Sequence, residues 1–188
     1  MNIAESERIL EVRKSYAKSV RELQRSENML ALRFTQKLLK DMKVAPVELG
    51  DVNSLFSWHA NILQLRRKHI LFVNDLSRLC LIIDGIRSSQ LDKLQEKFKS
   101  ELKEYLLKEG IRKHVIEQYF FEAGEISIGK TNNKSVLGTM NEVSFYSIDT
   151  DFNNTFELSA WLNSMIYKPI DYKEPINVFK KALQEQYL

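Results

Sequence analysis

Between Trp58 and Asp84 three apolar runs follow one another with only short polar turns between them: "WHANILQL", "HILFVND" and "RLCLIID". Each run is too short for a packed helix and rich in Ile, Leu, Val and Phe, which suits a pleated surface. The basic turn Arg66-Arg67-Lys68 divides the first two, so they form a β-hairpin. The third run adds a strand ending at Asp84-Gly85. A three-stranded antiparallel sheet of this kind needs cover on its apolar face, and the rest of the chain must supply it. Cys80 lies inside the third run, where it reads as a small buried hydrophobe. As the only cysteine, it leaves no partner for an internal disulfide and no Cys-rich zinc site.

The cover is helical. "LALRF" alternates as a short strand, and Thr35 is placed to cap a helix carrying Leu38, Leu39 and Met42. "APVELGDVNSLFS" is a polar connection into the hairpin. Ser88 or Ser89 is suited to cap a long helix with Leu91, Leu94, Phe98, Leu102, Tyr105 and Leu106 on one side, stopped by Gly110. A second helix ends at Gly124, and "EISIGK" alternates as a strand. Val136, Leu137, Met140 and Val143 mark a further helix; "TFELSAWLNSMIY" and "PINVFKKALQEQY" supply two more, the last with Pro175 in its first turn. The expected class is α+β: a small antiparallel sheet with several helices packed mainly on one face, forming one domain over residues 29–188. Ahead of it, Ile9, Val12, Tyr16, Val20 and Leu23 draw an apolar stripe, so residues 1–28 read as an amphipathic helical extension that could dock on the core or on a protein partner.

Charge narrows the function classes. Over 188 residues, 28 basic side chains face 25 acidic ones for a net charge of +3, far from the signature of a dedicated nucleic-acid binder. No apolar run approaches the roughly 20 residues of a membrane span, and the N-terminus lacks a signal-peptide core. The expected setting is the cytoplasm, with no membrane partner.

Residues 124–131, "GEISIGKT", match the phosphate-loop pattern G-x-x-x-x-G-K-[ST] letter for letter. A working loop lies between a buried strand and a helix and wraps the phosphates with backbone N–H groups. Here Gly124 follows an amphipathic helix, and Glu125, Ile126, Ser127 and Ile128 alternate as extended backbone, which cannot wrap an anion. Helical spacing resumes only after Asn133, too late for Thr131 to hold magnesium from a first helical turn. A nucleotide-hydrolase reading therefore fails.

The longer string Lys130-Thr131-Asn132-Asn133-Lys134-Ser135-Val136-Leu137-Gly138-Thr139-Met140-Asn141 is more informative. With Trp58-His59-Ala60-Asn61, Leu71-Phe72-Val73-Asn74 and "RFTQKLLK" at residues 33–40, it resembles a family of small bacterial proteins, domain of unknown function 6933. The resemblance spans about residues 29–185. It departs at Lys134, where the family run carries Arg, and in the N-terminal helix, which the family usually lacks. It implies a bacterial or phage-borne intracellular protein and brings no activity with it.

The candidate site follows from the residues. Thr131, Asn132, Asn133 and Ser135 crowd a strand-to-helix junction between Lys130 and Lys134. One helix cap needs one such residue; four of them with two lysines also suit an anion or a polar base edge. On the strand entered by Trp58, a buried Trp58 would turn His59 and Asn61 together to the opposite face. The leading expectation is a non-catalytic recognition domain for an anionic, nucleotide-like or nucleic-acid ligand at Lys130, Thr131, Asn132, Asn133 and Ser135, with His59 and Asn61 adjacent. The alternatives are a small metal-independent hydrolase or nuclease of a toxin–antitoxin or phage-defence type, with His59 as acid or base and Lys130 stabilising charge, and a protein-binding module acting through residues 1–28. His69 and His114 carry no such pattern, no HExxH word or carboxylate cluster suggests a metal, and no cofactor is expected. No G-x-S-x-G elbow is present for a serine hydrolase.

Overall fold

A computed structural model describes residues 29–148 and 150–187. The expected helix over residues 1–28 lies outside the described residues. In chain order the elements are β1 (Leu30–Phe34), α1 (Gln36–Met42), β2 (Ser57–Gln64), β3 (Lys68–Asn74), β4 (Cys80–Asp84), α2 (Leu91–Lys108), α3 (Lys113–Ala123), β5 (Ile126–Lys130), α4 (Lys134–Ile148), α5 (Thr155–Asn163) and α6 (Pro175–Tyr187). The α+β class holds. The strands form one sheet in the order β4-β3-β2-β1-β5.

Strands β2, β3 and β4 pair antiparallel as expected, but β1 runs parallel to both β2 and β5, so the sheet is mixed rather than purely antiparallel. The reason is the connection after β1. Chain leaving Phe34 passes through α1 and a long loop before reaching Ser57, which is a crossover and delivers β2 in the same direction as β1. Strand β5 then arrives after two helices on the free side of β1, pairing Leu30 with Ile126 through to Phe34 with Lys130.

One face of the sheet is apolar over most of its area. Leu30, Leu32, Phe34, Trp58, Ala60, Ile70, Phe72, Leu81, Ile83 and Ile128 meet buried residues of α1, α2, α3 and α6 there. Trp58 is its centre, in ring contact with Phe98 and Phe179, and its indole N–H donates to the Tyr119 hydroxyl at 3.0 Å. That hydroxyl donates on to the Leu55 carbonyl at 3.1 Å, so neither polar tip is orphaned in the core.

The other face is divided. Over β3 and β4, Leu71, Val73, Cys80 and Ile82 pack under Val136, Met140 and Val143 of α4 and Leu158 and Leu162 of α5. Over β1 and the start of β2, the residues on this face are Ala31, Arg33, Ser57 and His59, three of them polar, and the apolar cluster under α4 and α5 does not extend to them. Helix cover is thus mainly on one face, as the sequence suggests, and the polar half of the second face is where a site has room. One local detail differs from expectation. Neither Ser88 nor Ser89 caps α2, because the Ser88 hydroxyl donates to Asp41 at 2.7 Å and Gln90 holds the cap position without a side-chain bond. Among the described residues, no helix is long and apolar enough to cross a membrane.

Candidate functional site

His59 is fully buried on the divided face, beside Arg33 on the neighbouring strand. Its Nδ1 lies 2.6 Å from Asp75 Oδ1, just past the end of β3. Its Nε2 accepts from the backbone amides of Asn132 and Asn133, at 3.3 and 3.4 Å. With two N–H groups aimed at Nε2, the ring proton belongs on Nδ1, and the imidazole bridges Asp75 to the start of α4.

Asp75 is the hub. Its second oxygen accepts from the Ser57 hydroxyl at 2.7 Å, and Ser57 Oγ in turn accepts from Arg33 Nε at 3.1 Å. Arg78, which has positive φ, donates to the Asp75 backbone carbonyl and, at 3.1 Å, to Ser135 Oγ on the first turn of α4. Burial pulls the Arg78 guanidinium pKa down, and the nearby Asp75 charge opposes that shift. Asn74 secures the turn beneath: its amide nitrogen donates to the Leu55 and Ser57 carbonyls, and its oxygen accepts from Ser77.

The start of α4 is capped from within. Asn133 Oδ1 accepts from the amides of Ser135 and Val136, at 3.0 and 3.3 Å. The amides of residues 132, 133, 135 and 136 therefore all have protein partners, and the helix end is not an open anion cradle. What faces solvent are side chains: Asn132, Lys134 and Ser135 are exposed and Asn133 is half-buried. They line a cleft of about 420 Å³ whose floor is Arg33, Ser57 and Asp75 and whose far wall is the loop at Gly50–Ser54.

The other expected residues fall elsewhere. Lys130 pairs in register with Phe34, on the α1 face of the sheet, and lines a separate shallow cleft with Gln36, Lys40 and Lys43. His59 pairs with Arg33, on the other face, so the sheet lies between His59 and Lys130. Asn61 sits one pleat beyond His59; its oxygen accepts from the Thr35 hydroxyl at 2.7 Å and from the Ile62 amide at 2.9 Å. Thr131, half-buried, carries the chain from β5 towards α4. The "GEISIGK" part of the phosphate-loop match is mostly strand β5, extended as its alternation implies.

Arg33, Ser57, Asp75 and Arg78 escape a reading of the sequence that starts from the helix cap. A signal for Arg33 exists: it is a charged residue inside "LALRF", which otherwise reads as a buried strand. A larger cleft of about 600 Å³ lies at the hairpin turn, where His69 lies 3.5 Å from Asp84 and the exposed Arg66 pairs with Asp151 at 3.3 Å.

Residues 31–178 match the family profile described as Domain of unknown function (DUF6933). No curated protein and no solved structure matches the chain.

Proposed function

The chain belongs to the family of domain of unknown function 6933, and on that footing we propose that it is a recognition domain rather than an enzyme, binding an anionic, nucleotide-like or nucleic-acid ligand in the cleft beside the start of α4. One observation carries this reading. The family-like words around His59, Asn74 and Asn132–Ser135 are far apart in sequence but meet at one corner, where they frame a polar cleft. His59 favours recognition over catalysis, because a fully buried imidazole with both nitrogens engaged has no lone pair left to take a substrate proton. The groups free to meet a ligand are the Asn132 side-chain amide, the Lys134 ammonium and the Arg33 guanidinium on the cleft floor. A cytoplasmic, bacterial setting accords with this reading.

Thermal unfolding against nucleotides, short RNA and DNA and simple anions tests it. A ligand at about a hundred times its dissociation constant adds about 2.7 kcal/mol, a shift of several degrees. The expected result is a shift that Asn132→Ala and Lys134→Ala each diminish and Lys130→Ala leaves intact. A shift lost only in Lys130→Ala would move the ligand to the α1 side of the sheet. A flat panel would turn attention to protein partners and residues 1–28.

A further inference from the structure

Arg33 is 94% buried by its 6% exposure, yet only its Nε has a hydrogen-bond acceptor among the described residues, the Ser57 hydroxyl. Its two terminal nitrogens carry four N–H donors, and none has an acceptor there. The side chain lines the floor of the cleft beside α4. Its neighbour on β5 is Gly129, which contributes no side chain to block it, and Leu49 fills the space above that glycine. The fork is not sealed in: among the described residues, the buried side-chain polar atoms without a partner are Arg78 Nε and the Tyr187 hydroxyl, so the terminal nitrogens of Arg33 open on the cleft, where a ligand can meet them.

The charges around it leave one cation unbalanced. Arg33, Arg78 and Lys134 gather round the cleft, against the carboxylates of Asp51 and Asp75. Asp75 accepts from His59 and from Ser57, and Arg33 reaches it only through the Ser57 hydroxyl, with no direct bond from its fork to that carboxylate among the described residues. The amides at the start of α4 are committed too, so an anion entering here meets a guanidinium before it meets a helix end.

Resting on the proposed ligand site, we infer that Arg33 is its anchor and that the ligand is a small molecule presenting a singly charged oxyanion of carboxylate type, held two-pronged by the Arg33 fork. A planar pair of oxygens matches the fork, and one negative charge matches the one unbalanced cation. A polyanion is disfavoured because Asp51 stands at the rim.

The test is an NMR titration of the full chain with N-acetylglycine and, separately, inorganic phosphate at matched ionic strength. It is read at the Arg33 Nε–H and at the backbone amides of residues 132–135. Saturable shifts at both places with N-acetylglycine, weakened about tenfold or more in Arg33→Lys, support the inference, since lysine keeps the charge and loses the fork. Arg33→Gln repeats the test should the lysine variant not fold, and the wild-type Nε–H signal needs no variant. Shifts at residues 132–135 with Arg33 silent would overturn the anchor and leave the ligand site standing. Binding of phosphate in preference to N-acetylglycine would overturn the singly charged class. Silence of both probes at both places would overturn the inference, while the nucleotide and nucleic-acid arms of the unfolding panel still decide the site itself.

Discussion

Asn163 pairs with Cys80 as a neighbouring strand would. Its side-chain oxygen accepts from the Cys80 amide at 2.6 Å, and its nitrogen donates to the Cys80 carbonyl at 2.8 Å. Strand β4 is an edge, with a row of backbone groups facing outward, and α5 covers it with these two bonds and a third from the Ile82 amide to Ser159 Oγ at 3.0 Å. Asn163 also donates to the Tyr105 hydroxyl at 2.9 Å, tying α2 into the same corner. Replacing Asn163 by alanine strands a buried N–H and a buried C=O together, at a cost of about 3 kcal/mol. Ser159→Ala strands one group and should cost about half as much. Denaturant midpoints of the two variants check the order; equal losses would mean the edge is held by packing instead.

His59 and Lys134 separate folding from binding. Removing the imidazole in His59→Ala leaves Asp75 Oδ1 and the amides of Asn132 and Asn133 without their partner, all close to a buried carboxylate. The expected loss is about 3 kcal/mol, together with faster hydrogen exchange at those two amides. Lys134 is exposed and should change stability by less than about 0.5 kcal/mol when made alanine while weakening ligand binding. A His59→Ala protein of undiminished stability would reopen a chemical role for the ring.

How much of this was legible depended on whether the information was local. The hairpin, the strand at residues 30–34 and the helices that stop at Gly110 and Gly124 announce themselves through alternation, helical spacing and turn residues. The placement of His59 opposite Trp58 follows from the two-residue period of a strand, and Asn133 is a cap by residue type. Register and strand order are not local. Nothing in "LALRF" or "EISIGK" says that they lie side by side and parallel, and that pairing is what sets Arg33 beside His59 and sends Lys130 to the far face. The helix-cap reading of Asn132 and Asn133 also had no way to anticipate a histidine as the acceptor for their amides.

Two glycines should respond differently to alanine. A Cβ on Gly85 would stand 1.9 Å from the Lys68 carbonyl oxygen, which is backbone and cannot step aside without disturbing the β3–β4 pairing. A Cβ on Gly129 would stand 2.4 Å from Leu49 Cδ1, the far end of a flexible side chain. Gly85→Ala should therefore cost about 3 kcal/mol, and Gly129→Ala about 1 kcal/mol. Leu49→Ala should recover most of the Gly129→Ala loss in the double variant. Thermal midpoints decide it, and a Gly129→Ala loss that Leu49→Ala cannot relieve would mean the β1–β5 backbone itself has shifted.

Asp41 gives the fold an acid-sensitive tie. Its carboxylate accepts from Lys68 Nζ at 2.9 Å and from Ser88 Oγ at 2.7 Å, joining the end of α1 to the start of β3 and the chain before α2. Burial acts to raise its pKa, but the Lys68 ammonium and the Ser88 hydroxyl outweigh it, so the folded value lies below the ordinary carboxylate range. A folded pKa below the unfolded one gives stability that is present in full above the unfolded value and is lost as pH falls through the folded one. Both side chains keep some solvent, 26% for Lys68 and 19% for Asp41, which screens the pair. Asp41→Asn should thus cost about 1 kcal/mol at neutral pH. The gap between the variant and the parent should begin to close as pH falls past the unfolded carboxylate value of about 4, and finish closing at lower pH as the folded carboxyl takes up its proton. Urea midpoints measured across that range test the sign, and a gap that stays constant with pH would mean the asparagine acts through shape and not through charge.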